Sequence, residues 1–431
     1  MPFEQSPAAP RRIAVIGGGI SGMGAAHYLA DDHRVTLFEA EPRLGGHART
    51  VIAGKRGDQP VDMGFIVFNH ANYPLLTQLF DRLDVPLARS NMSFGVSIDG
   101  GRFEYGLSTL GAVFAQRRNT ADPRFWRLIR DVLRFNARGY ATAQEDGLTV
   151  GELLERLRSG RWFRDYYLLP FSGAIWSVPK EQILAFPARA MLEFFRNHHL
   201  LGITGQHQWY TVEGGSVQYV RRLEAALAAQ GVDIRTGCAV RAVRRDADGV
   251  EVAVPGGPAE RFDEVVFATH SDQAMRLLAD PTPGERATVG RIGYQPNRVV
   301  LHSDASVMPR RRLAWSSWNY TEDAGGPQGR IGVSYWMNAL QPIPEDDPLF
   351  VTLNDARPIR EELIHAETVF AHPVYDSAAL AAQAQLPAIQ GRNRTWFCGA
   401  WVKNGFHEDG LSSAHDVARS ILAREAGMAA E

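Results

Sequence analysis

The sequence predicts an α/β fold in two units, on two observations. Its 431 residues are too many for one ordinary core, which favours two domains able to interleave. Between Ile13 and Phe38 an apolar run, a glycine cluster, a helix-like stretch and a second apolar run follow one another, the alternation of a parallel α/β sheet. Composition narrows the class. With 45% hydrophobic and 22% charged residues the chain reads as an ordinary globular protein, and a net charge of -2 argues against a nucleic-acid surface spread over the molecule. Cys238 and Cys398 stand far apart, in neither a disulfide framework nor a metal-ligand spacing, so no metal is expected. The N-terminal MPFEQSPAAPRR has no apolar core of a signal peptide, and no run approaches the ~18 apolar residues of a membrane span. The expectation is a cytoplasmic protein, with peripheral contact at the inner membrane face left open. Its oligomeric state is not legible.

The first element is a short buried strand, Ile13 to Ile16, and the next a small-residue helix, Gly22 to Ala30. Gly17, Gly19 and Gly22 fit G-x-G-x-x-G between them. The first glycine permits the tight turn, the second admits a pyrophosphate to the backbone, and the third lets helix and strand pack closely. The N–H groups around Ile20 and Ser21, at the helix N-terminus, add a positive dipole end. A second strand, Arg34 to Phe38, ends at Glu39 and Ala40, about twenty residues past the glycines, where a carboxylate accepts ribose hydroxyls. Strand, turn, helix, strand and acid in register predict a Rossmann-type dinucleotide site.

The following EAEPRLGGHARTV adds Arg43, Gly45, Gly46, His47 and Arg49, a second glycine pair that a longer flavin dinucleotide would use. Here the chain resembles the flavin-containing amine oxidase superfamily, which includes protoporphyrinogen oxidase and phytoene desaturase. Its R-x-G-G-R signature stands as R-L-G-G-H, with His47 last and Arg49 available to substitute. The resemblance implies non-covalent FAD, and VDMGFIVF with Gly64, Phe65 and Ile66 looks like the next flavin-contacting segment. It continues through a glycine turn and helix with Ser216 as N-cap, a hairpin at Asp248-Gly249, and Val240 near the adenine. Ala268 and Thr269 follow a buried strand. Gly399 and Ala400 precede a last helix starting near Gly410, Leu411 and Ser412, whose N-terminus would face the flavin N1/C2=O edge. The implied division is an FAD-binding unit of 1–75, 205–275 and 390–431, interleaved with a mixed α/β substrate unit of 76–204 and 276–389.

The family pattern breaks in places. No lysine lies between Lys180 and Lys403, where many amine oxidases hold one near flavin N5, and the usual G-[ST]-E reads Gly399-Ala400-Trp401. The closing FCGAW…GFHEDGLSSA and the earlier HPVYD resemble a branch of predicted NAD/FAD-binding proteins associated with cyclopropane fatty acid synthases, near the desaturases of furan fatty acid synthesis. That resemblance implies hydride abstraction by flavin N5 from a methylated or unsaturated acyl chain, on a small-molecule or phospholipid substrate. The alternatives are a flavin amine oxidase and a non-catalytic or light-responsive FAD-binding module. His407 and Glu408 are the first catalytic candidates, as proton acceptor or orienter, and His372 and Tyr375 the next. Trp209-Tyr210, Trp315 to Tyr320 and Tyr335-Trp336 are expected to line an apolar tunnel. A helix from Asp122 as N-cap and Pro123 to Arg138 carries Phe125, Leu128, Ile129 and Val132 on one face. Its arginines lie on the other, a pattern compatible with a core helix or a membrane-surface helix.

Overall fold

Apolar strands at the N-terminus nucleate a five-stranded parallel sheet. The computed structural model describes residues 9–145, 147–176, 180–202, 205–322, 332–354 and 357–428, so residues 1–8 and 429–431 of the predicted FAD-binding unit lie outside the described residues. The strands are β1 (Arg12–Ile16), β2 (Arg34–Phe38), β3 (Asp233–Arg235), β4 (Glu264–Phe267) and β5 (Thr395–Phe397), ordered β5-β4-β1-β2-β3. Every adjacent pair is parallel, with Ile13 opposite Val35 and Glu264. Sequences such as RVTLF and EVVF are buried almost throughout, as a sheet covered on both faces requires.

The helices that position the site are α1 (Ile20–Leu29), α2 (Pro74–Arg82), α3 (Pro123–Thr142), α4 (Val217–Ala229) and α5 (His407–Met428). One sheet face, through Ile13, Val15, Val35 and Leu37, packs on α1, α2, α4 and α5. The other, through Ala14, Ile16, Phe38 and Phe267, packs on an antiparallel three-stranded sheet that includes Val243, Val250 and Phe262. At the crossing of α1 and α5, a Cβ on Gly24 would lie 2.6 Å from Leu411 Cδ1, so glycine there sets how closely the helices approach.

The substrate unit is built on a seven-stranded sheet ordered 364–374, 293–302, 350–353, 332–336, 318–322, 94–98 and 103–106, antiparallel except where 318–322 meets 94–98. α3 packs against this unit. Asp122 caps it by accepting the Arg124 N–H at 2.9 Å, Pro123 opens it, and Phe125, Leu128 and Phe135 enter the core. The apolar face of this helix is therefore core, not a membrane-facing surface.

Packing moves the unit boundaries drawn from the sequence. Leu76, Leu79 and Phe80 of α2 join the FAD-unit cluster, so the boundary at 75 cuts a helix that belongs with the parallel sheet. Val289, Ile292, Ala379, Ala382 and Leu386 likewise pack beside the three-stranded sheet. In the reverse sense, Val61, Met63 and Ile66 join the substrate-unit core.

The two units meet on Asp62, whose carboxylate is buried. It accepts the Ser216 N–H at 2.9 Å on each oxygen, the Ser216 and Thr50 hydroxyls at 2.6 Å, and the Gln341 amide at 3.0 Å. The Asp62 N–H returns to Gln341 Oε1 at 2.9 Å. Ser216 stands at the N-cap position of α4 as expected, but its hydroxyl serves Asp62, and Thr50 Oγ1 accepts the Val217 N–H at 3.0 Å instead. Burial pushes the carboxyl up to about 6, against the donors that pull it down. Asp62→Ala, which strands several buried donors, should lower unfolding free energy by about 3 kcal/mol or more, and Asp62→Asn by less than half of that. Denaturant titration in excess FAD checks both; equal loss for the two variants would refute the donor accounting.

Candidate functional site

The turn after β1 holds one glycine backbone, Gly19, open to a ligand. Gly17 takes φ 108° and donates to Phe38 O at 2.8 Å, which bends the chain sharply out of the sheet. A Cβ on Gly22 would lie 1.7 Å from the Gly17 carbonyl oxygen, so only glycine lets α1 start there. A Cβ on Gly19, in contrast, would meet nothing nearer than Gly46 Cα at 4.0 Å. Gly45 donates to Gly18 O at 2.8 Å, and Gly19 and Gly45 form a parallel bridge, so the two glycine loops lie side by side. The Glu39 carboxylate accepts Gly18 N–H at 2.6 Å and Glu41 N–H at 2.8 Å. Gly18, which the motif leaves unassigned, is thus the residue that fixes Glu39 at the β2 end. Ala40 beside it is exposed.

The two arginines of the second loop turn inward. Arg43 donates to the carbonyls of Leu44, Gly46 and Ala48 at 3.1–3.3 Å and pairs with Glu41, which braces the loop's own backbone. Arg49 donates to Thr368 Oγ1 at 3.2 Å, on the edge strand of the substrate unit. His47, in the place of the signature arginine, stacks on Phe370 with centroids 4.6 Å apart. It lies 5.5 Å from His270 and 6.1 Å from His372, while His270 stacks on Tyr294 at 4.5 Å. His270, Tyr294 and Phe370 carry no motif and escape sequence reading. Burial is the main cause that lowers His47 to about 3 and His372 to about 4, and it lowers His270 as well. The rings that further depress His47 are His372, His270 and His407, so four histidines share one electrostatic neighbourhood. Among the described residues none of these histidines belongs to a group able to hold a metal ion.

The head of α5 completes the site. The helix starts at His407, three residues before the predicted Gly410. Gly410 sits against α1, where a Cβ would lie 2.8 Å from Ser21 Oγ and 3.1 Å from Ile20 Cγ2. Ser413 ties the turn before the helix by accepting the Gly399 N–H at 2.9 Å, and Lys403 bonds Ser412 and Asp416. Leu411 is buried against α1, and Ala400 adjoins Gly410. The N-termini of α1 and α5 therefore converge beside the two glycine loops, an arrangement that favours an anion. Ala268 donates to Ile16 O at 2.8 Å, its carbonyl lies under Gly17, and Thr269 O accepts the Trp401 indole at 3.1 Å. Val240 packs near the β2 end of the second face.

His407 stacks face to face on Phe65, centroids 3.9 Å apart and planes 12° from parallel. Its Nε2 stands 2.6 Å from the Tyr219 hydroxyl of α4. Phe65 is fixed in turn by its N–H to His47 O at 3.1 Å and by Gly64, where a Cβ would lie 2.0 Å from that oxygen. Ile66 is buried and its carbonyl accepts the Thr211 hydroxyl. Tyr219 is buried and its phenol is held well above 10 by burial, so it keeps its proton. Burial also lowers His407 to about 3. The ring is held neutral, hydrogen-bonded through Nε2 to the Tyr219 hydroxyl.

Glu408 is engaged by a neighbouring helix. Its two oxygens accept the N–H groups of Leu75 and Leu76 at 2.9 Å each, so it caps α2. Asp409 accepts the Phe406 N–H at 2.9 Å and caps its own helix. Tyr375 is buried beneath Gly405, and its hydroxyl is without a hydrogen-bond partner among the described residues. His372 sits within the edge strand, paired with Gln295. The aromatic tunnel residues part company: Trp209 and Tyr210 pack with the FAD unit, Trp318, Tyr320 and Tyr335 with the substrate core, and Trp315 and Trp336 in a third cluster around Arg312. A polar-lined cavity of about 630 Å³ opens beside Trp209, Arg89, His207 and Gln341.

Two outcomes follow from this geometry. Glu408→Gln should keep turnover near the parent value while costing about 1 kcal/mol of stability through the weakened cap; a hundredfold loss of turnover would restore Glu408 as a base. The second concerns acid. Histidines whose folded pKa lies below the unfolded 6.5 contribute stability that is present above 6.5 and lost as pH falls from there toward 4. Thermal unfolding scans should show that decline, and His372→Gln should flatten it.

A family model for flavin containing amine oxidoreductases matches residues 20–422. A carotenoid phi-ring synthase of Streptomyces griseus is 27% identical over 318 residues, which cover 67% of this chain and 58% of that protein. The chain thus spans little more than half the length of that relative. Among solved structures, a conjugated linoleic acid (CLA)-producing fatty acid isomerase from P. acnes superposes with TM-score 0.67 at 16% identity, covering 96% of this chain and 99% of that one. A wild-type putrescine oxidase bound to putrescine superposes with TM-score 0.66 at 15% identity, covering 96% and 99%. The glycine loops, the Glu39 edge and the converging helix N-termini fit the dinucleotide such proteins hold, and the chain belongs to the flavin containing amine oxidoreductase family, with FAD as its cofactor.

Proposed function

We propose that the chain is an FAD-dependent oxidoreductase that introduces a double bond into a methylated or unsaturated fatty acyl chain. The fold is equally near a fatty acid isomerase and a putrescine oxidase, so the support for lipid over amine comes from the residues at the head of α5. One observation carries the reading: the rings of Phe65, Phe194, Phe406 and His407 form an aromatic wall there. Phe406 stacks on Phe194 at 5.2 Å and lies 5.7 Å from His198, and His407 is closed against Phe65 at 3.9 Å. The nearby carboxylates of Glu408 and Asp409 are occupied by backbone N–H groups, which leaves them poorly disposed to receive an ammonium. An apolar chain suits such a wall, because burying it expels water at no polar cost.

Gly17, Gly19, Gly22, Glu39, Gly45 and Gly46 would hold the dinucleotide, and bound FAD supplies the two-electron acceptor. The protein's part is orientation and dryness. The Tyr219 hydroxyl, 2.6 Å from Nε2, fixes the plane of His407 at the head of α5. The neutral histidines His47, His270 and His372 supply uncharged imidazoles in the same neighbourhood, where one can accept the proton lost from the acyl chain.

Anaerobic addition of methylated or unsaturated phospholipid should bleach the flavin absorbance, while putrescine and simple primary amines leave it unchanged. The recovered lipid should carry one more double bond. Tyr219→Phe should retain FAD yet slow bleaching about tenfold, and His407→Ala about 10²-fold. Bleaching by an amine with none by any lipid would replace this reading with amine oxidation; no bleaching by either would point to a non-catalytic flavin module.

A further inference from the structure

We infer that the outward side of α3, together with the turn that precedes it, is a docking surface for an anionic lipid bilayer. The patch carries this inference whatever substrate the cofactor site takes. Its charge is lopsided. Between Leu107 and Thr142 there are seven arginines against two aspartates, in a chain whose net charge is -2. Both acids are already engaged: Asp122 caps α3 and pairs with Arg124, and Asp131 is buried, accepting the Gly160 N–H at 2.8 Å. The surface left over is cationic, with Arg117, Arg118, Arg127 and Arg130 exposed.

Large apolar side chains stand among these cations. The apolar face of α3 is consumed by the core, so nothing internal remains to explain the residues on its far side. Trp126 and Leu133, seven residues and two turns apart, point outward with Arg130 between them, and Trp126 is 48% exposed. The short helix Leu110–Val113 brings Leu110, 76% exposed, to the same end, because Phe114 lies 5.9 Å from the Trp126 ring. Leu107 extends the patch. The Trp126 indole donates to Thr120 O at 2.8 Å, which holds the ring upright against the Arg117–Ala121 turn. An acidic protein partner would be satisfied by the arginines alone. Protruding leucines and a tryptophan ringed by arginine instead match the bilayer interface, where headgroups take the cations and the acyl boundary takes the apolar tips.

The test uses the full-length FAD-loaded protein, sedimented with vesicles of phosphatidylcholine alone or with phosphatidylglycerol. Expected is binding to the anionic vesicles about tenfold or more tighter than to phosphatidylcholine, weakened by salt. Arg117→Glu/Arg130→Gln removes charge while Arg127 and Arg134 stay beside the buried Asp131, and should reduce that binding about tenfold or more. Leu110→Ser should weaken it too, with flavin content and circular dichroism unchanged for both variants. Failure of the parent to bind anionic vesicles, or equal binding by parent and variants, overturns the inference. Binding to polyglutamate that matches the anionic vesicles and ignores Leu110→Ser would also overturn it, in favour of an acidic protein partner. Acyl-chain turnover is read separately with detergent-dispersed lipid, so loss of docking and loss of the reaction are distinguishable.

Discussion

Asp62 is a carboxylate without solvent, surrounded by donors that come from three separate stretches of chain, Thr50, Ser216 and Gln341, while its own backbone N–H returns to the Gln341 amide oxygen. A buried charge of this kind is tolerated only when each lone pair is met, which fixes the relative positions of all its partners. Those partners carry the site. Three residues after Asp62 stands Phe65, the ring on which His407 lies. Ser216 and Val217, held by Asp62 and Thr50, begin α4, and Tyr219 on its first turn is hydrogen-bonded to His407. The single residue therefore sets both the face against which His407 stacks and the hydroxyl that meets its Nε2. Through Gln341 it also fixes the substrate unit to the same frame.

Burial then decides the charge state of the site. The four histidines near the helix heads are held neutral, while the carboxylates closest to them cap helices. Oriented N–H groups at the starts of α1 and α5 thus supply positive potential at the site, with the Lys403 ammonium engaged by Ser412 and Asp416. Arg43 and Arg49, the nearest cations in sequence, brace backbone and reach the edge strand. A dinucleotide held by dipoles leaves the reacting end of the site free of mobile charge, a setting suited to an apolar chain.

How far this was legible depends on the range of the interaction. The β1–turn–α1–β2 start is a local pattern, and strands, glycines and Glu39 stand where short-range sterics and hydrogen bonding put them. The parallel sheet order was not legible, because β3, β4 and β5 arrive from distant segments. Glu408 shows the limit. It reads as a polar residue beside the cofactor, but its partners are 333 and 332 residues away, at the start of α2. Nothing in the local sequence announces that contact, just as nothing announces His270 or Phe370 beside His47. The boundary at 75 failed for the same reason: the apolar stripe of α2 is plain, but which core receives it is a tertiary fact.

The substitution of histidine for the last arginine of the glycine-pair signature is best understood from what surrounds it. An arginine at position 47 would place a guanidinium amid His270, His372 and Phe370, where a charge would be desolvated without an acid to pair it. A neutral imidazole can instead stack on Phe370 and remain uncharged at physiological pH. Two residues on, Arg49 reaches Thr368 on the same edge strand, and two residues before, Gly45 bridges Gly19. The loop is thereby fastened to the cofactor turn at one end and to the substrate wall at the other. His47 is the hinge-pin of that fastening: a flat, uncharged ring that packs both units together where the cofactor and the substrate would meet.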